Sequence, residues 1–166
     1  MKTLKHGLLR FVSRQWPLVV AVCVGSSLAH VGTSTMPFQV GALMDGSALS
    51  SGQAGLFGLF EVGALAVGMI LIAPWIDRLP VRVLAISCAL LSAAANLALF
   101  SARAFPIQLL CGALAGLGYG CVFAATIASA AASDEAGRLY ALGNGGSLLL
   151  IMVIIATLPV GVCFAH

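Results

Sequence analysis

Two side chains that can carry a proton, Glu61 and His30, lie inside long apolar stretches of the sequence. An ionised carboxyl group is costly in a bilayer, so we expect Glu61 to be protonated or paired, and an ionisable group at that depth predicts a functional site. A histidine changes its charge near neutral pH and can act in the same way. We predict a proton or cation pathway that includes both residues. The alternative is that each only hydrogen-bonds to a neighbouring helix.

Three further polar side chains lie in apolar stretches, and each can either line a substrate path or satisfy a neighbouring helix. Asn96 follows Ser92 by one helical turn, Tyr119 lies among glycines, and Asn144 lies within the glycine-rich stretch 143–147. The candidates for a substrate or proton pathway are therefore His30, Glu61, Asn96, Tyr119 and Asn144.

Other kinds of chemistry have no motif in this sequence. No nucleophile–base pair, phosphate-binding loop or zinc motif is evident, so the sequence predicts neither an enzyme nor a cofactor. The five cysteines show no Cys-x-x-Cys spacing and have no histidine cluster nearby, which disfavours a metal site and a disulfide framework. They are best interpreted as small buried apolar residues: Cys23, Cys88, Cys111, Cys121 and Cys163.

The composition identifies the class of protein. Of the 166 residues 61% are hydrophobic and 8% are charged, whereas soluble domains carry roughly 25% charge. This small number of charged groups cannot cover a surface that faces water. We therefore predict an integral membrane protein that lies in a lipid bilayer. The net charge of +3 is spread along the chain, which gives no basis for nucleic-acid binding.

Charged residues divide the chain into five apolar stretches, each near or above the 20 residues that a helix needs to cross a bilayer. Helix is the expected form because open strands leave backbone groups unsatisfied in lipid. We predict an all-α, polytopic membrane protein with one transmembrane domain, 17–166, after a basic segment, 1–16. The predicted helices are about 17–42, 53–76, 82–101, 106–131 and 139–163.

Basic residues set the expected orientation. Of the eight, only Arg103 falls on the opposite side of a five-helix topology. This asymmetry predicts a cytoplasmic N-terminus and, at His166, a C-terminus outside, in a bacterial inner membrane. Residues 1–16 would then be cytoplasmic, with apolar residues at helical spacing that can lie on the membrane surface. A signal peptide is the competing interpretation of that segment, but four more helices follow it.

A charged loop joins the second and third predicted helices. Asp77, Arg78 and Arg82 lie within six residues, with Ala73 four residues before Asp77. This order resembles the Gly-x-x-x-Asp-Arg-x-Gly-Arg-Arg-like signature of the major facilitator superfamily. Ala73 takes the place of the first glycine, and Pro80 replaces the second. An ordinary charged loop in water is the alternative interpretation.

The resemblance extends to the order of elements over nearly the whole chain, and it implies the N-terminal half of such a transporter without its sixth helix and C-terminal half. It implies a secondary transporter that moves a small organic solute by alternating access, either with or without coupling to protons. It also implies a cytoplasmic gate at Ala73, Asp77, Arg78 and Arg82. The family often has an arginine just before the glycine run of helix four, whereas Gln108 lies in that region here.

Glycines at four-residue steps in the fourth predicted helix favour close helix packing: Gly112, Gly116 and Gly120. Since five helices do not enclose a two-sided cavity, the expected partners are a solute and a second copy or another membrane subunit that completes the bundle. The alternative function is a small accessory or scaffold subunit of a larger membrane complex, which transports nothing itself.

Overall fold

A computed structural model describes the backbone of residues 2–47 and 49–163 and the side chains of residues 16–46 and 49–156. Within these ranges the chain forms five α-helices, each long and apolar enough to cross a bilayer. The prediction of an all-α, polytopic membrane protein is therefore confirmed. The helices are α1 (Lys2–Ser47), α2 (Ser51–Ile72), α3 (Val81–Ser101), α4 (Phe105–Ala131) and α5 (Ala136–Cys163), and a 3-10 turn, Ala73–Trp75, follows α2.

The first helix is longer than the sequence predicts. α1 has 46 residues, which corresponds to roughly 69 Å, whereas the apolar core of a bilayer is about 30 Å thick. The backbone of the predicted N-terminal segment, 1–16, is thus continuous with α1 from Lys2 onward. Its basic and amphipathic character depends on the side chains of residues 1–15, which lie outside the described residues, as does His166.

Local hydrogen bonds explain where α2 begins. The Ser50 hydroxyl accepts from the Gln53 amide N–H at 3.3 Å, and the Ser50 N–H donates to the Gln53 side chain at 3.0 Å. This reciprocal capping box satisfies backbone donors that a helix N-terminus otherwise leaves open. α2 therefore starts at Ser51, two residues earlier than the charge pattern predicts.

The bundle is built around α4. This helix packs along α2 and α3 and also crosses α1, while α5 packs mainly on α1. In the apolar span of α4, 56% of the residues are buried, against 11% for α3. α1 and α4 approach closely where Gly25 meets Thr126 and where Gly32 meets the ring of Tyr119. The centre of the protein is therefore the α1–α4 crossing, with α2 and α3 packed on α4.

The glycines of α4 allow α2 to approach. A Cβ atom built on Gly112 would lie 2.7 Å from the Phe57 ring, and one built on Gly116 or Gly120 would collide with the carbonyl oxygen of Glu61 or Leu65. The structure thus places all three packing candidates against α2. Glu61 is held at this same contact, because its backbone is part of the interface.

Candidate functional site

A chain of polar side chains connects three helices in the apolar bundle. Asn96 on α3 donates through Nδ2 to the hydroxyl of Tyr119 on α4 and to the carbonyl oxygen of Ser92, both at 2.8 Å. Its Oδ1 accepts from Nε2 of Gln39 on α1 at 3.3 Å. We call Gln39, Asn96 and Tyr119 the polar chain. Two of the pathway candidates, Asn96 and Tyr119, are therefore in direct contact.

Glu61 lies beside the polar chain on the α2 side of α4. Its side chain is 3% exposed, and neither carboxyl oxygen has a hydrogen-bond partner among the described residues. The Glu61 backbone contacts α4 at Gly116, which is three residues before Tyr119 of the polar chain. A buried carboxyl without a partner is unfavourable as an anion, so this position suits a group that binds a proton or meets a cation during function.

His30 lies on α1 and is oriented by its own helix. Its Nδ1 is 2.7 Å from the carbonyl oxygen of Ser26, and its ring meets the edge of Phe123 at a centroid distance of 5.4 Å. A carbonyl oxygen can only accept, so Nδ1 carries the hydrogen and Nε2 is the acceptor of the neutral ring. The structure describes no contact between His30 and Glu61, so it does not join the two proton-carrying candidates directly.

Asn144 lies apart from the other candidates, on α5. Its Oδ1 is buried without a hydrogen-bond partner among the described residues. α5 meets α1 at Gly143, which faces Val22, and at Gly146, where an added Cβ would lie 2.8 Å from the sulfur of Cys23. No described contact connects Asn144 to the polar chain.

The charged loop is exposed at the end of α2. Ala73 lies in the 3-10 turn, and Asp77, Arg78 and Arg82 are exposed. Arg78 lies over the ring of Trp75, with 5.9 Å between its guanidinium carbon and the ring centroid. The one ion pair among the described residues joins Arg138 to Glu135. Asp77 therefore forms no ion pair with Arg78 or Arg82. Charge pairing at a gate would thus need a partner outside this loop.

Two clefts open between α1 and α3, because these helices pack on α4 rather than on each other. One, of about 600 Å³, lies toward the start of α3 and includes Arg82. The other, of about 330 Å³, lies toward the end of α3 and includes Gln39, Asn96 and Arg103. Both are lined mainly by apolar side chains. The second cleft reaches the polar chain.

Gln39 was missed in the sequence. Its amide side chain lies in a stretch without charged residues, which could have marked it as a candidate. The first predicted helix has many other polar residues, however, so this feature does not distinguish Gln39 from them. Gln108 is the polar residue that precedes the glycines of α4. It is fully buried and donates through Nε2 to the carbonyl oxygen of Ala102 at 3.1 Å, so it secures the turn between α3 and α4.

The described part of the chain contains no group of three His, Cys, Asp or Glu side chains that could hold a metal ion. Cys23, Cys88, Cys111 and Cys121 are free thiols. Cys163 lies outside the residues whose side chains are described.

Comparison with known proteins gives no match: no family model, no curated protein and no solved structure matches this chain. The resemblance to the major facilitator superfamily therefore depends on the loop pattern and the order of helices, and the function is argued from the residues of the bundle.

Proposed function

We propose that this chain is a secondary transporter, or the N-terminal part of one, and that it moves a small organic solute across the membrane with Glu61 as its proton site. The observation that carries the proposal is the buried Glu61 carboxyl, which has no hydrogen-bond partner among the described residues and belongs to a residue packed on α4 about one turn from Tyr119 of the polar chain. Ionisable groups inside membrane bundles are rare and usually mark a substrate or proton path.

The architecture supports alternating access as the mode of transport. α4 is packed on three helices, so α1, α2, α3 and α4 can move as one body. In transporters of this kind two such bodies rock about a site near the middle of the bilayer. The polar chain and Glu61 would then supply one side of that site, and a second copy or another subunit would supply the other.

The exposed charged loop supports a gate at the cytoplasmic end. We expect Asp77→Asn to reduce solute uptake at least tenfold while the protein stays in the membrane, because the amide cannot pair with a cation across the gate. Asp134→Asn is the matched control, since Asp134 is an exposed acid at the same end of the bundle. Uptake into vesicles checks the prediction, and equal rates in both variants would remove the gate role.

The proposed orientation puts the loop after α2 in the cytoplasm of a bacterial cell, with the inner membrane as its location. In a variant without the native cysteines, Ala104→Cys should react with a membrane-impermeant maleimide in intact cells. Ala132→Cys should react only after the cells are permeabilised. Both residues are exposed and lie in turns at opposite ends of the bundle. The reverse labelling pattern would overturn the orientation.

Solute uptake by purified protein tests the proposed function. Two samples are prepared: the full chain expressed alone, and the full chain co-expressed with a second tagged copy. Each is reconstituted in liposomes with an inward proton gradient. The liposomes then receive a panel of labelled small organic acids, bases and neutral solutes. Uptake of at least one solute above empty liposomes, lost when the gradient is collapsed, is the expected result. A panel without any gradient-dependent uptake would contradict the proposal.

The second candidate function is an accessory or scaffold subunit. The observation in its favour is the exposure of α3. Only 11% of the residues in its apolar span are buried, and large side chains such as Phe100 point outward. A partner subunit can pack on such a face as readily as lipid can. Co-purification of a stoichiometric membrane partner, together with no solute movement by the complex, would favour this function over transport.

A further inference from the structure

The cleft toward the end of α3 has the form of a small ligand site. Its volume of about 330 Å³ is within the range of about 300–1,000 Å³ for small-molecule pockets. Apolar side chains such as Leu43 and Leu99 form its walls, and its polar residues are Gln39, Asn96 and Arg103. A small number of polar groups in a mainly apolar cleft is typical of ligand sites, because these groups fix the orientation of the ligand and provide specificity.

The floor of the cleft offers an acceptor. Gln39 uses its Nε2 to donate to Asn96, while its Oε1 is shielded from solvent and accepts no hydrogen bond among the described residues. Asn96 uses its own Nδ2 for Tyr119 and Ser92. No neighbouring side-chain donor is thus directed at Gln39 Oε1. A buried acceptor in this condition is unfavourable unless a ligand or a water donates to it.

The rim of the cleft offers a cation. Arg103 is exposed and forms no ion pair with a described carboxylate, including that of Asp45 near the end of α1. A guanidinium group binds carboxylates strongly because it can make two parallel hydrogen bonds. The rim therefore favours an anionic group on the ligand.

The spacing of floor and rim limits the size of the ligand. Asn96 lies in α3, whereas Arg103 lies two residues beyond its end, after the extended residue Ala102. The helical rise from Asn96 to Ser101, the last residue of α3, is roughly 7.5 Å. The apolar walls lie between Asn96 and Arg103. A compact apolar body, such as one aromatic ring, with a polar group at each end fits this distance.

We infer that this cleft binds a small amphipathic organic acid. Its carboxylate lies at Arg103, its apolar body lies between α1 and α3, and a hydrogen-bond donor at its other end pairs with the Gln39 amide, whose Oε1 turns toward the cleft to accept it. The inference rests on the proposed function in taking this acid as the class of solute that is transported.

Equilibrium dialysis with the full chain in nanodiscs tests the inference, with 4-hydroxyphenylacetate as the probe. Its neutral amide, 4-hydroxyphenylacetamide, has nearly the same shape without the charge, and phenylacetate lacks the hydroxyl donor. We expect the probe to bind roughly tenfold or more tightly than the amide, and several-fold more tightly than phenylacetate.

Two variants assign these preferences to residues. Arg103→Gln should bring the probe to the affinity of its amide, whereas Arg138→Gln, which changes an exposed basic residue at the opposite end of the bundle, should leave the preference intact. Gln39→Leu should remove the advantage of the probe over phenylacetate. If a variant fails to fold, the comparison of the three compounds on the unaltered chain still decides the matter.

Equal affinity for acid and amide would overturn the inference. Equal effects of the Arg103 and Arg138 variants would also overturn it, because they would indicate non-specific attraction to the membrane surface. Binding is measured here without transport. A protein that couples solute to protons but shows no preference for the acid would refute this inference alone. A protein that prefers the acid but moves no solute would refute the proposed function alone.

Discussion

Gly116→Val is expected to separate α2 from α4 and to abolish a stable bundle. A Cβ atom at Gly116 would collide with the backbone carbonyl oxygen of Glu61 and would lie 3.2 Å from the Cβ of Ala64. A backbone atom cannot turn away as the end of a flexible side chain can, so the helices themselves must move apart. Overpacking of this kind costs about 1–3 kcal/mol or more, and it affects the most extensive helix contact among the described residues.

Thermal stability of a fluorescent fusion in detergent, followed by size-exclusion chromatography, checks this prediction. The matched control is Gly63→Val, because Gly63 lies on α2 with no atom within 4 Å of an added Cβ. Both variants carry the same helix-propensity change, so their difference isolates the clash. An equal loss of stability in the two variants would show that α2 and α4 are not in this close contact.

Glu61→Gln is expected to remove the pH dependence of solute uptake and to reduce gradient-driven uptake at least tenfold. The amide has nearly the same shape as a protonated carboxyl but cannot release or take up a proton. Because Glu61 is 3% exposed and its carboxyl lacks a hydrogen-bond partner in the described structure, the change to an amide breaks no described hydrogen bond. Initial uptake rates on both sides of neutral pH, in liposomes, measure the effect.

Glu135→Gln is the control for Glu61→Gln. Glu135 is an exposed acid that pairs with Arg138, so its loss should cost little and should leave the pH profile unchanged. A pH dependence that survives in Glu61→Gln would eliminate Glu61 as the proton site. A loss in both variants would point to a general effect of charge on the reconstituted protein.

The transmembrane helices could be predicted from the sequence because the bilayer imposes their length and apolarity, and charges mark where they end. The same signal could not show that α1 extends from Lys2 to Ser47, since a helix can continue beyond the apolar core into water. Nor could it show the start of α2 at Ser51, which the hydrogen bonds of Ser50 and Gln53 determine.

The candidate site was only partly predictable. Spacing identified polar residues within the spans, but it does not say which helices are neighbours. The contact of Asn96 with Tyr119 comes from the packing of α3 on α4, and Gln39 joins them because α1 also crosses α4. Small residues at four-residue steps likewise indicate close packing without naming the partner, which the structure identifies as α2 for Gly116.

Proton movement driven by a solute gradient shows directly whether Glu61 couples solute transport to protons. Liposomes that hold the purified protein and an internal pH-sensitive dye receive a solute identified by the uptake panel, with no initial pH gradient. We expect the internal pH to change when the solute is added to the unaltered protein or to Glu135→Gln, and to stay constant with Glu61→Gln. Solute entry that leaves the internal pH unchanged with the unaltered protein would contradict proton-coupled transport through Glu61.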